Sequence, residues 1–242
     1  MALSKAKEEQ MSGSPFRIVE AIFPGMTQLD FTAPHTIFSR IPNTETLVAS
    51  ALGGPIEADG GLVFAGTQRL ADIDRCDLIF FPGGFAVTET MNNADFMREA
   101  RRLAAGARYL TSVCTGSLVL GAAGLLQGKR AACHWAWRDM LPLFGAIPDP
   151  GRVVRDGNII TGGGVTAGMD FALVVAAELA GARFAQALQL ALEYAPAPPF
   201  DSGRPETAPP EVLAEVKARM ATILPKRLAE AQAAAARLAH AQ

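Results

Sequence analysis

Histidine, cysteine, tyrosine and tryptophan are all scarce in this chain of 242 residues, which has three His, three Cys, two Tyr and two Trp. The cysteines, Cys76, Cys114 and Cys133, are odd in number and dispersed, which argues against a disulfide framework and suits a reducing compartment. There is no CxxC, no HExxH and no other metal-ligand spacing, so no metal and no cofactor is expected. Charge of one sign is lacking too. The 22 Lys and Arg nearly balance the 24 Asp and Glu, for a net charge of -2, and no basic face is concentrated enough for nucleic acid. No apolar run is long enough to span a bilayer. Residues 1–14 mix Lys5, Lys7, Glu8 and Glu9 without an apolar core and do not read as a signal peptide. The expectation is a soluble cytoplasmic protein with neither membrane nor nucleic acid as partner. Residues 1–14 are expected to form a disordered leader and residues 15–242 a single domain ending in a helix.

What is present is a hydrophobic chain, 50% apolar, in which short buried-looking runs alternate with longer helical patterns. Strands are predicted over 16–23, 46–51, 76–81, 109–113 and 130–133, and hairpins over 56–70 and 152–161, the second carrying the turn signal Asp156-Gly157. Helices are predicted from about Asp30 through about Ile41, and over 94–105, 115–123, 166–179 and 183–193. The proline-rich stretch 194–200 must be extended and irregular, and an alanine-rich helix over 211–240 should break near Pro225. The alternation implies an α/β fold with a mostly parallel sheet sandwiched by helices.

The stretch from Tyr109 to Ser117 organises the rest. Tyr109 to Val113 reads as a buried strand, and a helix starts just after Cys114. A cysteine there sits at the carboxyl end of a strand, where α/β sheets bind ligands, in the geometry of a nucleophile elbow. The field of the helix N-terminus favours an anion and can lower a thiol pKa from about 8.5 to about 3.5–7.5, so a thiolate nucleophile is expected. Cys114 alone would read more readily as a small buried hydrophobe. The preceding strand and the following Gly116-Ser117 favour the nucleophile.

Other candidates are read with their plainer alternatives. Asp30 and Asp170, each near a helix start, complement the helix dipole if they do nothing else. Gly83 and Gly84, after the strand 76–81, form either a tight turn or a backbone cradle for a developing anion. His134 is either a hydrogen-bonded structural residue or a proton-transfer group, and Trp135 and Trp137 read as packing.

Three of these stretches, Ser112-Val113-Cys114-Thr115-Gly116-Ser117, Phe81-Pro82-Gly83-Gly84 and Gln28-Leu29-Asp30, together resemble the ThiJ/PfpI-like superfamily with its glutamine-amidotransferase-like, flavodoxin-like fold. The resemblance runs from Phe16 onward and extends to the superfamily's isonitrile hydratase members, among other relatives. It implies Cys114 as nucleophile, Asp30 as acid/base, Thr115 with Gly83 and Gly84 flanking the nucleophile or an oxyanion, and an isonitrile substrate hydrated to an N-substituted formamide. It also implies a homodimer. Protease-like members carry His directly after the cysteine, where this chain has Thr115. Amidotransferases need a late His–Glu pair, and no histidine lies between Val165 and Tyr194. A glyoxalase or deglycase using the same cysteine, and a non-enzymatic redox or ligand sensor, stay open as alternatives.

Overall fold

The computed structural model describes residues 14–240, so the leader expected over 1–14 lies, but for Ser14, outside the described residues. Strand β1 (Phe16–Ala21) leads through a loop to helix α1 (Gln28–Phe38) and then β2 (Thr44–Ser50). β3 (Gly54–Glu57) and β4 (Val63–Arg69) pair antiparallel as the first expected hairpin. β5 (Leu78–Phe81), the single-turn helix α2 (Val87–Thr90), α3 (Ala94–Gly106) and β6 (Tyr109–Val113) follow. After α4 (Gly116–Ala122) come two short strands, β7 (Arg130–Ala131) and β8 (Ile147–Pro148), on either side of a 3-10 turn at Arg138–Phe144. The chain ends with β9 (Val153–Asp156), β10 (Ile159–Gly162), α5 (Ala167–Ala180), α6 (Ala182–Ala191), α7 (Pro210–Ala221) and α8 (Leu224–His240).

Eight strands form one sheet in the order β3-β4-β2-β1-β5-β6-β10-β9. Every pairing from β4 to β10 is parallel, and the two edge pairings are antiparallel. The central strands are apolar on both faces because both faces are covered: β5, β6 and β10 are buried at every residue. Successive residues of β1 point opposite ways. Val19 and Ala21 join one core with Phe96, Leu103, Leu118 and Leu141, and Ile18 joins the other with Ile37, Phe38, Phe171 and Val175. On this second face Phe38, Phe80 and Phe171 pack ring to ring, with centroids 5.7–6.0 Å apart. The one carboxylate in β1, Glu20, is wholly buried on that side and meets His35 Nδ1 of α1 at 2.6 Å.

One expectation changes. The strand predicted over 130–133 is cut to two residues and pairs with β8 in a separate ribbon, not with the main sheet. The C-terminal helix breaks near Pro225 as expected: the interruption is at Thr222–Ile223, and Pro225 falls in the first turn of α8, where its missing N–H costs nothing.

The connectivity positions the site. From β1 the chain moves outward through β2 and β4, then returns to lay β5 on the other side of β1. The strand order reverses between β1 and β5, and the loops leaving their carboxyl ends diverge to opposite sides, opening the crevice in which such sheets bind ligands.

Candidate active site

Three loops knit together at that crevice. The Thr27 N–H donates to the Gly83 carbonyl at 3.0 Å, and the Gly84 N–H donates to Thr115 Oγ1 at 2.9 Å. Gly83 is glycine because nothing else fits. A Cβ there would lie 2.6 Å from the Thr115 nitrogen and 2.7 Å from Asp30 Oδ2. At Gly84 it would lie 2.5 Å from the Cα of Met26. The glycine pair thus lets the loops after β1, β5 and β6 approach backbone to backbone. In this structure the Gly84 amide is engaged by Thr115 Oγ1. The Gly83 and Thr115 amides are the ones that face Asp30 and Cys114.

Cys114 is held between β6 and α4 with φ of 58°, a left-handed conformation that side chains rarely adopt. Its N–H donates to the Gly162 and Gly163 carbonyls at 3.1 and 2.7 Å, which fixes the strained residue from below. Asp30, the third residue of α1, is fully buried beside it, and neither carboxyl oxygen has a formed hydrogen bond. Burial lifts the Asp30 pKa to about 7, although the nearby thiol and the Gly83 amide pull the other way.

The same burial pushes the Cys114 thiol well above its ordinary value, with the Asp30 carboxyl and the Cys133 thiol adding to the effect and the Thr115 amide opposing it. The thiolate expected from the helix N-terminus is therefore corrected. Cys114 is 5% exposed, α4 is only seven residues long, and desolvation outweighs the helix field. At rest the proton is on sulfur.

Residues 132–134 are strapped against this pair. Ser117 Oγ donates to the Ala132 carbonyl at 2.5 Å, and the Ala132 N–H donates to Thr161 Oγ1 at 2.8 Å. Cys133 then lies within electrostatic reach of both Asp30 and Cys114, its own thiol raised by burial to about 12. Cys133, His134, Gly163 and Gly164 line a cleft of about 750 Å³ together with residues 203–207; Cys114 and Asp30 lie behind the Cys133 and Gly163 wall and do not themselves line it. His134 borders this cleft but is not part of the pair. Its Nδ1 accepts the Ala136 N–H at 3.3 Å, and burial lowers its pKa, keeping the ring neutral. Trp137 packs in the core as expected, whereas Trp135 lines the cleft. Asp170 is more than a dipole complement, because it takes Arg152 Nε at 2.6 Å and the Tyr194 hydroxyl at 3.1 Å. Among the described residues no cluster of His, Cys, Asp or Glu is placed to hold a metal ion, and no helix is long and apolar enough to cross a membrane.

The Gly162 and Gly163 carbonyls and the Cys133 wall were not assigned roles from sequence. The triplet Gly162-Gly163-Gly164 was the available signal, since consecutive glycines permit close backbone approach.

Comparison with known proteins places these features in one lineage. A model of the DJ-1/PfpI family matches residues 17–178. The chain is 50% identical over 217 residues to an isonitrile hydratase of Pseudomonas putida, spanning 90% of this chain and 95% of that protein. It is 32% identical over 142 residues to the HTH-type transcriptional regulator CdhR of Pseudomonas aeruginosa, of which it covers 41%. Among solved structures, a ThiJ/PfpI family protein from Pseudomonas syringae matches with a TM-score of 0.83 at 38% identity, over 93% of this chain and 94% of that one. With its cysteine at the end of a central strand and its aspartate at the crevice, this chain belongs to the DJ-1/PfpI family.

Proposed function

We propose that the protein is an isonitrile hydratase, adding water to R–N≡C to give an N-substituted formamide with Cys114 as nucleophile and Asp30 as acid/base. The observation that carries this reading is the pairing of a buried thiol with a carboxyl whose pKa of about 7 lets it exchange a proton near neutrality. The terminal carbon of an isonitrile accepts a nucleophile and a proton at the same atom, so one acid/base group beside one sulfur suffices. The 50% identity over 217 residues to the Pseudomonas putida isonitrile hydratase supports the same substrate class.

The chemistry follows from where the proton rests. Ionised Asp30 takes the thiol proton as Sγ attacks the isonitrile carbon, then delivers it to that carbon, giving the thioimidate R–N=CH–S. Asp30, ionised again, takes a proton from water as the oxygen adds to the carbon, and passes it to nitrogen. The tetrahedral species expels sulfur, which takes the hydroxyl proton and returns as thiol, releasing R–NH–CHO. The positive φ of Cys114 supports reading the β6–α4 turn as a nucleophile elbow that aims the sulfur at the crevice. The Gly83 and Thr115 amides are suited to steady the charge that develops during these transfers.

Cys114→Ala is expected to abolish formamide production from cyclohexyl isonitrile, and the wild-type protein quenched during turnover should carry one substrate mass on Cys114. Retained turnover in the variant would remove the nucleophile from the scheme.

A further inference from the structure

The cleft walled by Cys133 and Gly163, which adjoin Cys114, is lined by charged groups for which the hydration chemistry has no use. These are Arg138, Arg152, Arg204, Asp149 and Glu206. Two of them are already engaged. Arg152 is held by Asp170 and by the Thr166 carbonyl, and Asp149 by the Gly151 N–H at 2.8 Å and by Arg130 at 3.8 Å. Among the described residues, Arg138 and Arg204 make neither an ion pair nor a side-chain hydrogen bond, and Glu206 is the one acidic lining residue without a partner.

Exposure separates these groups. Glu206 and Arg204 are exposed on the 203–207 loop. Arg138 is half-buried, directly after the turn that carries His134 and Cys133. Its N–H donates to the His134 carbonyl at 3.0 Å, and its charge reaches the buried Cys133 thiol. The Cys133 wall therefore presents a guanidinium without a counter-ion, next to the residues that hold Cys114. A cleft of about 750 Å³ is of small-molecule size and far exceeds what the isonitrile group itself needs. A planar guanidinium fork facing such a space matches a carboxylate, which it can bind through two parallel hydrogen bonds.

We propose that the cleft selects isonitriles whose organic group carries a carboxylate, bound by Arg138 from the Cys133 wall and by Arg204 from the 203–207 loop. This rests on the hydratase reading above and specifies its substrate class. With its carboxylate on the two arginines, the substrate directs its isonitrile group to the Cys133 and Gly163 wall, behind which Cys114 lies.

The test compares 4-isocyanobutanoate with its neutral methyl ester, so that the two substrates differ only in charge and one methyl group. Wild-type kcat/KM is expected to favour the acid by about tenfold or more, the return of one charge-assisted hydrogen bond, with the difference carried by KM. In Arg138→Gln that ratio should fall toward one, and Arg138→Lys should restore part of it. Arg204→Gln should lower the ratio independently, which keeps the test available if the Arg138 variant does not fold. The ratio is taken within each variant, so a general loss of activity does not imitate the result. A wild-type ratio of one or less, or a ratio unchanged in both arginine variants, overturns the proposal and leaves hydration itself intact. Failure to turn over either compound while cyclohexyl isonitrile is hydrated overturns the carboxylate preference alone, and failure on all three removes the hydratase reading with it.

Discussion

An aspartate with both oxygens buried and unpartnered ionises reluctantly, and the proposed first step needs it ionised. Because the thiol pKa lies well above the ordinary value, Asp30 is the group that changes state near neutrality. Below pH about 7 the pair holds two protons and Asp30 cannot accept the one on sulfur. The value of kcat/KM for a neutral isonitrile should therefore rise about tenfold per pH unit up to pH about 7 and then level off. Asp30→Asn should lose both the rise and most of the rate. A flat profile between pH 5 and 8 in the wild type would leave another group as the base. The participants themselves were legible in the sequence: Cys114 from its place between a strand and a helix, Asp30 and Thr115 from the resemblance. Their protonation was not. A local pattern announces a helix N-terminus, but the burial that overrides it depends on elements distant in the chain, which also bring the Asp30 carboxyl and the Cys133 thiol close enough to raise the Cys114 pKa further.

At the scale of elements, the turns matter more than the helices and strands they join. Gly116, the first residue of α4, sits so close to the end of β5 that a Cβ would lie 2.2 Å from the Phe81 carbonyl oxygen and 2.8 Å from that of Pro82. Both neighbours are backbone, so neither can rotate aside. Gly116→Ala must push the β5 and β6 loops apart, at a cost of about 1–3 kcal/mol for overpacking. The Thr115–Gly84 hydrogen bonds join those same loops, so a lowered Tm should come with a larger loss in kcat than global destabilisation explains. An unchanged Tm and rate would mean the loops yield more easily than their backbone contacts imply. The elements themselves were readable because β5, β6 and β10 are continuous apolar runs and α3 is amphipathic. The ribbon of β7 and β8 was not, because a two-residue pairing is fixed by partners far apart in sequence and leaves no periodicity behind.

Across the whole molecule, alternating strands and helices pointed to a parallel sheet with two covered faces. The reversal of strand order between β1 and β5, which makes the crevice, is a fact of assembly that no single stretch encodes. Building the site there has a consequence for stability. Asp30 has a pKa of about 7 in the folded protein against an ordinary value of 3.8, so between those limits the folded chain binds more protons than the unfolded one. Its favourable contribution is fully present below pH about 4, is lost progressively as pH rises to about 7, and stays lost above that. Three pKa units correspond to about 4 kcal/mol at most. Asp30→Asn removes the titration, and any constant effect of the amide cancels when the same pair of proteins is compared across pH. The Tm of the variant relative to wild type should therefore climb by several degrees between pH 4.5 and pH 8, with almost all of the change below pH 7. The residue whose loss is expected to cripple catalysis would then be one whose loss steadies the fold at working pH. A Tm difference that does not move with pH would show that Asp30 is solvated in the folded chain, and the proton transfer proposed for it would lose its physical basis.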